Sequence, residues 1–241
     1  MTDSFADVVP VVTPVRLAVR GGGSFPVRRV YCVGRNFADH AREMGAAAPT
    51  SREDRGTPVF FAKPGDAVVV SSDVPYPPAT TALHHEVELV VAVGRDAPPG
   101  ILPVEQADTL VYGYTVGLDL TRRDLQAAAK AKGLPWDCAK GFDASAPVGE
   151  LVPAVEVGAL VTRVLSLQVN GETRQHAALD ALIWDVPEIL HELSKLFALR
   201  AGDLVFMGTP AGVAALEAGD VCEARLDDVL ALHCRITAPS L

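Results

Sequence analysis

HEVELVVAVG, residues 85–94, is the stretch that decides the architecture. In an extended strand Glu86, Glu88, Val90 and Ala92 share one face, and Val87, Leu89, Val91 and Val93 share the other. Both glutamates therefore leave the same face. Glu88 lies inside an otherwise apolar run, where a carboxylate is costly unless something neutralises it. Like charges two residues apart repel, so a cation is the natural partner. Taken alone, Glu-x-Glu reads better as a solvated strand face paired to lysine or arginine, and Asp119 is what shifts the balance.

Working outward, further strands are predicted over 16–19, 27–33, 59–63, 67–70, 112–119 and 204–207. The glycines of 112–119 suggest close backbone approach. Leu165, Asn170-Gly171 and the polar residues up to Gln175 read as a hairpin over 165–175. The tail, 221–236, reads as two strands around Asp227-Asp228. Helices are fewer. A short one follows Asn36-Phe37-Ala38-Asp39 and closes at Gly45. Another spans 121–132, with Thr121 as cap, Asp124 three residues on and Gly133 at its end. The best opens at Asp185-x-x-Glu188, carries Val186, Ile189, Leu190, Leu193 and Phe197 as a stripe, and closes at Gly202. Strands are not regularly separated by helices, so the expected class is mixed α/β, mostly β, rather than a doubly wound sheet. Residues 1–26 read as an N-terminal arm before a single domain over 27–241. Residues 46–57 form a polar loop, a candidate mobile lid or an ordinary surface loop.

The balance of the 241 residues narrows the function. Hydrophobic residues make up 49% and charged residues 21%, enough to build a core. A net charge of −9 disfavours nucleic acid, which needs a basic footprint, but leaves room for a small anionic substrate in a locally positive site. Cys32, Cys138, Cys222 and Cys234 lack metal-finger spacing and read as reduced thiols. The start lacks the pattern of a signal peptide, and the purest apolar run, 89–93, is far below the about 18 residues of a membrane span. The expectation is a soluble cytoplasmic protein with no membrane partner.

Asp119 ends the Gly-rich strand directly before a helix. With Glu86 and Glu88 it makes a set of hard oxygen donors suited to Mg²⁺ or Mn²⁺ rather than zinc. Three carboxylates leave coordination positions open for a bidentate oxo-acid and a water, as a catalytic site requires. His84 and His85 read as turn or core hydrogen-bonding residues rather than ligands.

YCVGRNFADHAREMG (31–45), FFAKPGDAVV (60–69), HHEVELVVAVG (84–94), YGYTVGLDLTRRDLQ (112–126), AKGFD (139–143) and MGTPAGV (207–213) resemble the fumarylacetoacetate hydrolase family in order and spacing. The stretches 122–137 and 169–190 look closest to its fumarylpyruvate hydrolase and acylpyruvase branch. The resemblance implies a rolled β-sheet core, a homodimer, and a divalent metal on Glu86, Glu88 and Asp119. It also implies cleavage of a carbon–carbon bond in a β-diketo acid, with fumarylpyruvate from gentisate catabolism as the favoured substrate.

His40 and Glu43 are three apart and share a helix face, a spacing that alone fits a surface pair. The resemblance instead places them on a lid over the substrate as general base and orienting carboxylate. It makes Lys140 an active-site lysine, assigned with Gln126 to the developing oxyanion, and Lys63 a further site lysine. Arg123 shares a helix face with Gln126, and Thr209 lies in a Gly-Pro loop with backbone donors for a carboxylate; both are assigned to substrate binding. Arg122, Arg123, Lys63 and Arg174 are candidate cations for the far end of the acyl tail. The competing readings are oxaloacetate decarboxylation or keto–enol tautomerisation on the same metal, and a non-catalytic binder.

Overall fold

The computed structural model describes residues 7–43, 45, 49 and 51–239. Its centre is the strand Val87–Val93, buried along its whole length. The alternation seen in the sequence distributes this strand between two cores. Val87, Leu89, Val91 and Val93 enter a larger core, and Val90 and Ala92 enter a smaller one. Covering on both sides is why the segment reads as an apolar run.

This strand is third in a six-stranded mixed sheet ordered Val152–Pro153, Val111–Leu118, Val87–Val93, Asp203–Phe206, Arg29–Gly34 and Val59–Lys63. Neighbours stay in phase: Val205 opposes Val91 on the larger core, and Leu204 opposes Ala92 on the smaller. Gly113 is required by the edge pairing, because a Cβ there would lie 2.1 Å from the Val152 carbonyl oxygen. A second, five-stranded sheet runs Glu172–Ala178, Val164–Val169, Val221–Leu226, Leu230–Thr237 and Asp73–Pro75. Leu165, Leu167, Ala224 and Cys234 point from it into the larger core. The helices are α1 (Ala38–Glu43), α2 (Arg123–Lys132), α3 (Asp137–Lys140), α4 (Ala154–Val157) and α5 (Val186–Ser194). The chain is thus mostly sheet with a few short helices. No helix among the described residues is long and apolar enough to cross a membrane.

Local signals fared unevenly. Asn170 (φ 54°) and Gly171 (φ 80°) make the two-residue hairpin turn, and Asp185 and Glu188 form a reciprocal capping box. The stripe of α5 stops at Leu193, however. Phe197 lies beyond the helix against Tyr31, ring centroids 5.0 Å apart, and Gly202 precedes the next strand instead of closing α5. Thr121 does not cap α2. It belongs to the two-residue strand Thr121–Arg122, paired with Leu83–His84, and Asp124 accepts from Thr80 and Thr81. Long-range ladder bonds there override the local cap signal. Asn36 does not cap either: its side chain clamps the backbone of Trp184 and Met207.

The expected arm is built into the body from residue 16. Arg16–Ala18 pairs with Ser24–Pro26, and Leu17 and Phe25 enter the smaller core. Of the polar loop, residues 46–48 and 50 lie outside the described residues. Its later part is anchored: Arg55 stacks on Trp184 at 3.9 Å and pairs with Glu188 at 2.9 Å.

Candidate active site

Two antiparallel strands bring the three carboxylates together. Glu86 immediately precedes Val87–Val93, Glu88 lies within it opposite Gly117, and Asp119 immediately follows Val111–Leu118. The Asp119 amide donates to the Glu86 carbonyl at 2.8 Å, closing the pair of strands. One oxygen from each carboxylate lies within 4.8 Å of the others, and all three residues are buried.

Cations gather around two of them. Lys140 Nζ, on α3, lies 2.7 Å from Glu86 Oε2 and 2.5 Å from Asp119 Oδ2. Lys63 Nζ lies 2.8 Å from Asp119 Oδ1, and Arg123 pairs with Glu86 Oε1. Burial works to raise the Glu86 carboxyl, but Lys140 and Arg123 outweigh it and hold the group below the usual range. Burial likewise works against the Lys140 ammonium, and Asp119 and Glu86 overcome it, raising its pKa.

Glu88 is different. Burial first, then the charges of Asp119 and Glu86, push its carboxyl well above the usual range. Its hydrogen bond comes from the Gly208 amide at 2.6 Å, and among the described residues it has no ion pair with a cationic side chain. Gly208 adopts φ 93°, and a Cβ there would lie 2.7 Å from Asn36 Cβ. A buried carboxylate lacking a cation, grouped with two more hard oxygen donors, fits a divalent metal such as Mg²⁺ or Mn²⁺.

The cluster forms the floor of a recess that Arg35, His40, Arg123, Gln126, Lys140 and Thr209 also line. His40 Nδ1 lies 3.1 Å from Glu43 Oε2, and the other Glu43 oxygen accepts from the Gly212 amide at 3.0 Å. The short helix α1 is thus tied to the glycine-rich loop after Phe206. Arg123 donates to Gln126 Oε1 at 2.6 Å. Thr209 Oγ1 accepts from Gln175 Nε2 at 2.7 Å.

Most residues singled out from the sequence therefore meet in one place. Lys63 does not line the recess: it sits behind Asp119, fully buried, bonded also to the Leu120 and Lys140 carbonyls. Glu43, Arg122 and Arg174 do not line it either, and Glu43 is joined to it through His40. Of the loop's backbone donors, the Gly208 amide serves Glu88 rather than a substrate. His85 is a core residue, 2.9 Å from Gln175 Oε1, and burial foremost lowers its pKa. His84 is half-buried and lowered to about 4, mainly by burial and then by Arg123.

Sequence reasoning missed Gln175, which looked like an ordinary hairpin residue. It is buried, accepts from the Val87 amide at 3.0 Å, and donates to Thr209 and to the Pro210 carbonyl. It also missed Phe61, Lys130 and Trp136 on the recess wall. Lys130 had a readable signal, seven residues after Arg123 on the same helix face.

Residues 29–237 match the family model described as fumarylacetoacetate (FAA) hydrolase, C-terminal. The chain belongs to the fumarylacetoacetate hydrolase family. Among its relatives, the fumarylpyruvate hydrolase of Ralstonia sp is 43% identical over 176 residues, 70% of this chain and 88% of that protein. The mitochondrial oxaloacetate tautomerase FAHD1 of Bos taurus is 39% identical over 215 residues, 88% of this chain and 93% of that one. The crystal structure of fumarylpyruvate hydrolase from Pseudomonas aeruginosa, in complex with Mn²⁺ and pyruvate, superposes with a TM-score of 0.90 at 46% identity. It covers 97% of this chain and all of that one. The sheet-dominated architecture is therefore that of the fumarylacetoacetate hydrolase family, close to its fumarylpyruvate hydrolase branch.

Proposed function

We propose that this family member hydrolyses the C3–C4 bond of a 2,4-dioxo acid, an acylpyruvate, and that 3-fumarylpyruvate, giving fumarate and pyruvate, is its substrate. Glu86, Glu88 and Asp119 would hold Mg²⁺ or Mn²⁺. When bound, such an ion supplies Lewis-acid stabilisation of the enolate charge that develops as pyruvate leaves. The observation that carries the reading is the Glu43-bound His40 in the same recess as the three carboxylates.

With its Nδ1 held by Glu43, His40 presents Nε2 to a water and takes the proton as that water attacks C4. Glu43 fixes the ring and stabilises the imidazolium that forms. Arg123 occupies the Gln126 carbonyl oxygen, so the Gln126 amide is left to donate to the oxyanion at C4. Lys140 has three donors, two directed at Glu86 and Asp119, and the third is available to the same oxyanion. Thr209 accepts from Gln175, which leaves its hydroxyl hydrogen for the substrate's C1 carboxylate. Arg123 and Lys63 position the groups that touch substrate. The C3–C4 bond then breaks, its electrons pass into the pyruvate enolate, and C3 is protonated. The same reading carries the expectation of a cytoplasmic homodimer, which sedimentation and fractionation check.

A second reading rests on the relatives named oxaloacetate tautomerase, 38–39% identical to this chain. Enol–keto exchange or decarboxylation of oxaloacetate would use the same carboxylates and enolate charge. One assay separates the two. Enol absorbance is followed with fumarylpyruvate, acetylpyruvate or oxaloacetate, with Mn²⁺ or chelator, and pyruvate is counted. Metal-dependent pyruvate release from fumarylpyruvate supports the hydrolase. Loss of oxaloacetate enol without pyruvate, and no acylpyruvate cleavage, would make the protein a tautomerase; pyruvate from oxaloacetate alone would make it a decarboxylase.

A further inference from the structure

The recess holds more positive charge than the carboxylate cluster uses. Among the described residues lining it, Arg123 and Lys140 are committed to Glu86 and Asp119, whereas Arg35 and Lys130 pair with no acidic side chain. The other candidates for the acyl tail are spent elsewhere: Arg122 on Phe142 and the Cys138 carbonyl, Arg174 on Glu172. We infer that Arg35 and Lys130 form an anion subsite that takes the distal carboxylate of a dicarboxylic dioxo acid. This deepens the hydrolase reading and rests on it for the identity of the substrate.

Helix geometry sets the reach. Arg123, Gln126 and Lys130 follow one another on one face of α2, and at about 1.5 Å per residue Lys130 lies about 6 Å beyond Gln126 along the axis. Gln126 stands beside the carboxylate cluster, so Lys130 stands one turn outward. In fumarylpyruvate the second carboxylate lies three carbon–carbon bonds beyond C4. In oxaloacetate it is C4 itself, beside Gln126 and Lys140, and does not extend to Lys130. Between the two ends the wall is aromatic: Phe61 and Trp136 pack 6.0 Å apart, a surface suited to a planar unsaturated tail. Trp136 also braces Lys130, whose Nζ lies 5.1 Å from its ring.

Two further observations point the same way. Arg35 directly follows the strand Arg29–Gly34 at φ 60°, a left-handed conformation that is costly for a non-glycine residue and that recurs at ligand sites. Burial foremost, then Arg123 and Arg35, lower the Lys130 pKa, a crowding of like charge that a bound anion relieves.

The test compares wild type with Lys130→Met, Arg35→Gln, the double variant and Lys130→Arg, all loaded with Mn²⁺. The ratio of kcat/KM for fumarylpyruvate over acetylpyruvate falls about 10- to 100-fold in the double variant, mostly through KM. Lys130→Arg keeps the ratio. A double variant with the wild-type ratio overturns the subsite. A binding arm needs no turnover: calorimetric titration with 2-oxoheptanedioate and with 2-oxoheptanoate, which differ only in carrying a carboxylate or a methyl at C7. A preference of about tenfold or more for the dicarboxylate, lost in the double variant, supports the subsite even if no acylpyruvate is cleaved. Equal affinities in the wild type overturn it, whatever the reaction proves to be.

Discussion

The Lys140 ammonium lies 2.7 Å from Glu86 Oε2, with both side chains buried. The two residues are 54 positions apart, and the contact exists because α3 packs against α2 and against the strands Val59–Lys63 and Thr121–Arg122. Lys140→Met would leave Glu86 and Asp119 buried beside one fewer positive charge. We expect a loss of about 3–5 kcal/mol in the chelated protein, read by urea unfolding, with Mn²⁺ restoring part of it. A loss below about 1 kcal/mol, the worth of an exposed ion pair, would mean that the contact is not a buried one in solution.

Glu88 should behave in the opposite sense. Among the described residues it has no cationic partner, so Glu88→Gln should leave the chelated protein as stable as wild type, or more so. At a hundred times its dissociation constant, Mn²⁺ should stabilise wild type by about 2.7 kcal/mol and the variant hardly at all. Unfolding with and without Mn²⁺ checks both signs. An equal metal response in the two proteins would remove Glu88 from the ligand set.

His40→Ala should lower acylpyruvate hydrolysis about 10²- to 10⁴-fold, the range of a general base. Any decarboxylation of oxaloacetate should survive, because that reaction needs no activated water. Glu43→Gln should cost less, since it leaves the imidazole in place and weakens only its orientation. Steady-state rates on the two substrates decide the matter, and equal losses on both would take the base role from His40.

Gln175 organises the wall behind Thr209. Gln175→Ala would strand the Val87 amide and the Thr209 and Pro210 acceptors, each unsatisfied buried group costing about 1–3 kcal/mol. A destabilisation of about 3 kcal/mol in urea is expected, with a raised KM as Thr209 loses its anchor. A change below about 1 kcal/mol would show that water replaces the amide without loss.

Stability should also fall with acid through Glu188. Burial works to raise its carboxyl, but the Arg55 hydrogen bond and the Asp185 amide outweigh it, holding the group below its ordinary 4.5. A carboxyl depressed in the folded state contributes stability that is full above the unfolded pKa and lost as pH falls through the folded one. The difference in unfolding free energy between wild type and Glu188→Gln should therefore be largest above pH 5 and shrink in more acidic solution. A difference that grew on acidification would contradict the sign.

Much of the framework is short-range and was legible. The two-residue period of residues 85–94 placed Val91 and Ala92 on opposite faces, and the structure sends them to opposite cores. The turn at Asn170-Gly171 and the box at Asp185 and Glu188 depend on residues at most three apart, so backbone chemistry alone specifies them. The carboxylates too were readable, because Glu86 and Glu88 sit in one segment and Asp119 ends the next glycine-rich strand. What stayed hidden depends on pairing between distant segments. Thr121 looked like a cap until residues 83–84 claimed its backbone. Lys63 looked like a substrate ligand until the fold set it behind Asp119, and Gln175 looked ordinary until it met His85, 90 positions away. Residue types and local turns can be read along the chain. Which cation faces which carboxylate, and that Arg35 and Lys130 face none among the described residues, follows only from how the sheets and helices close on one another, because charge pairing acts through space.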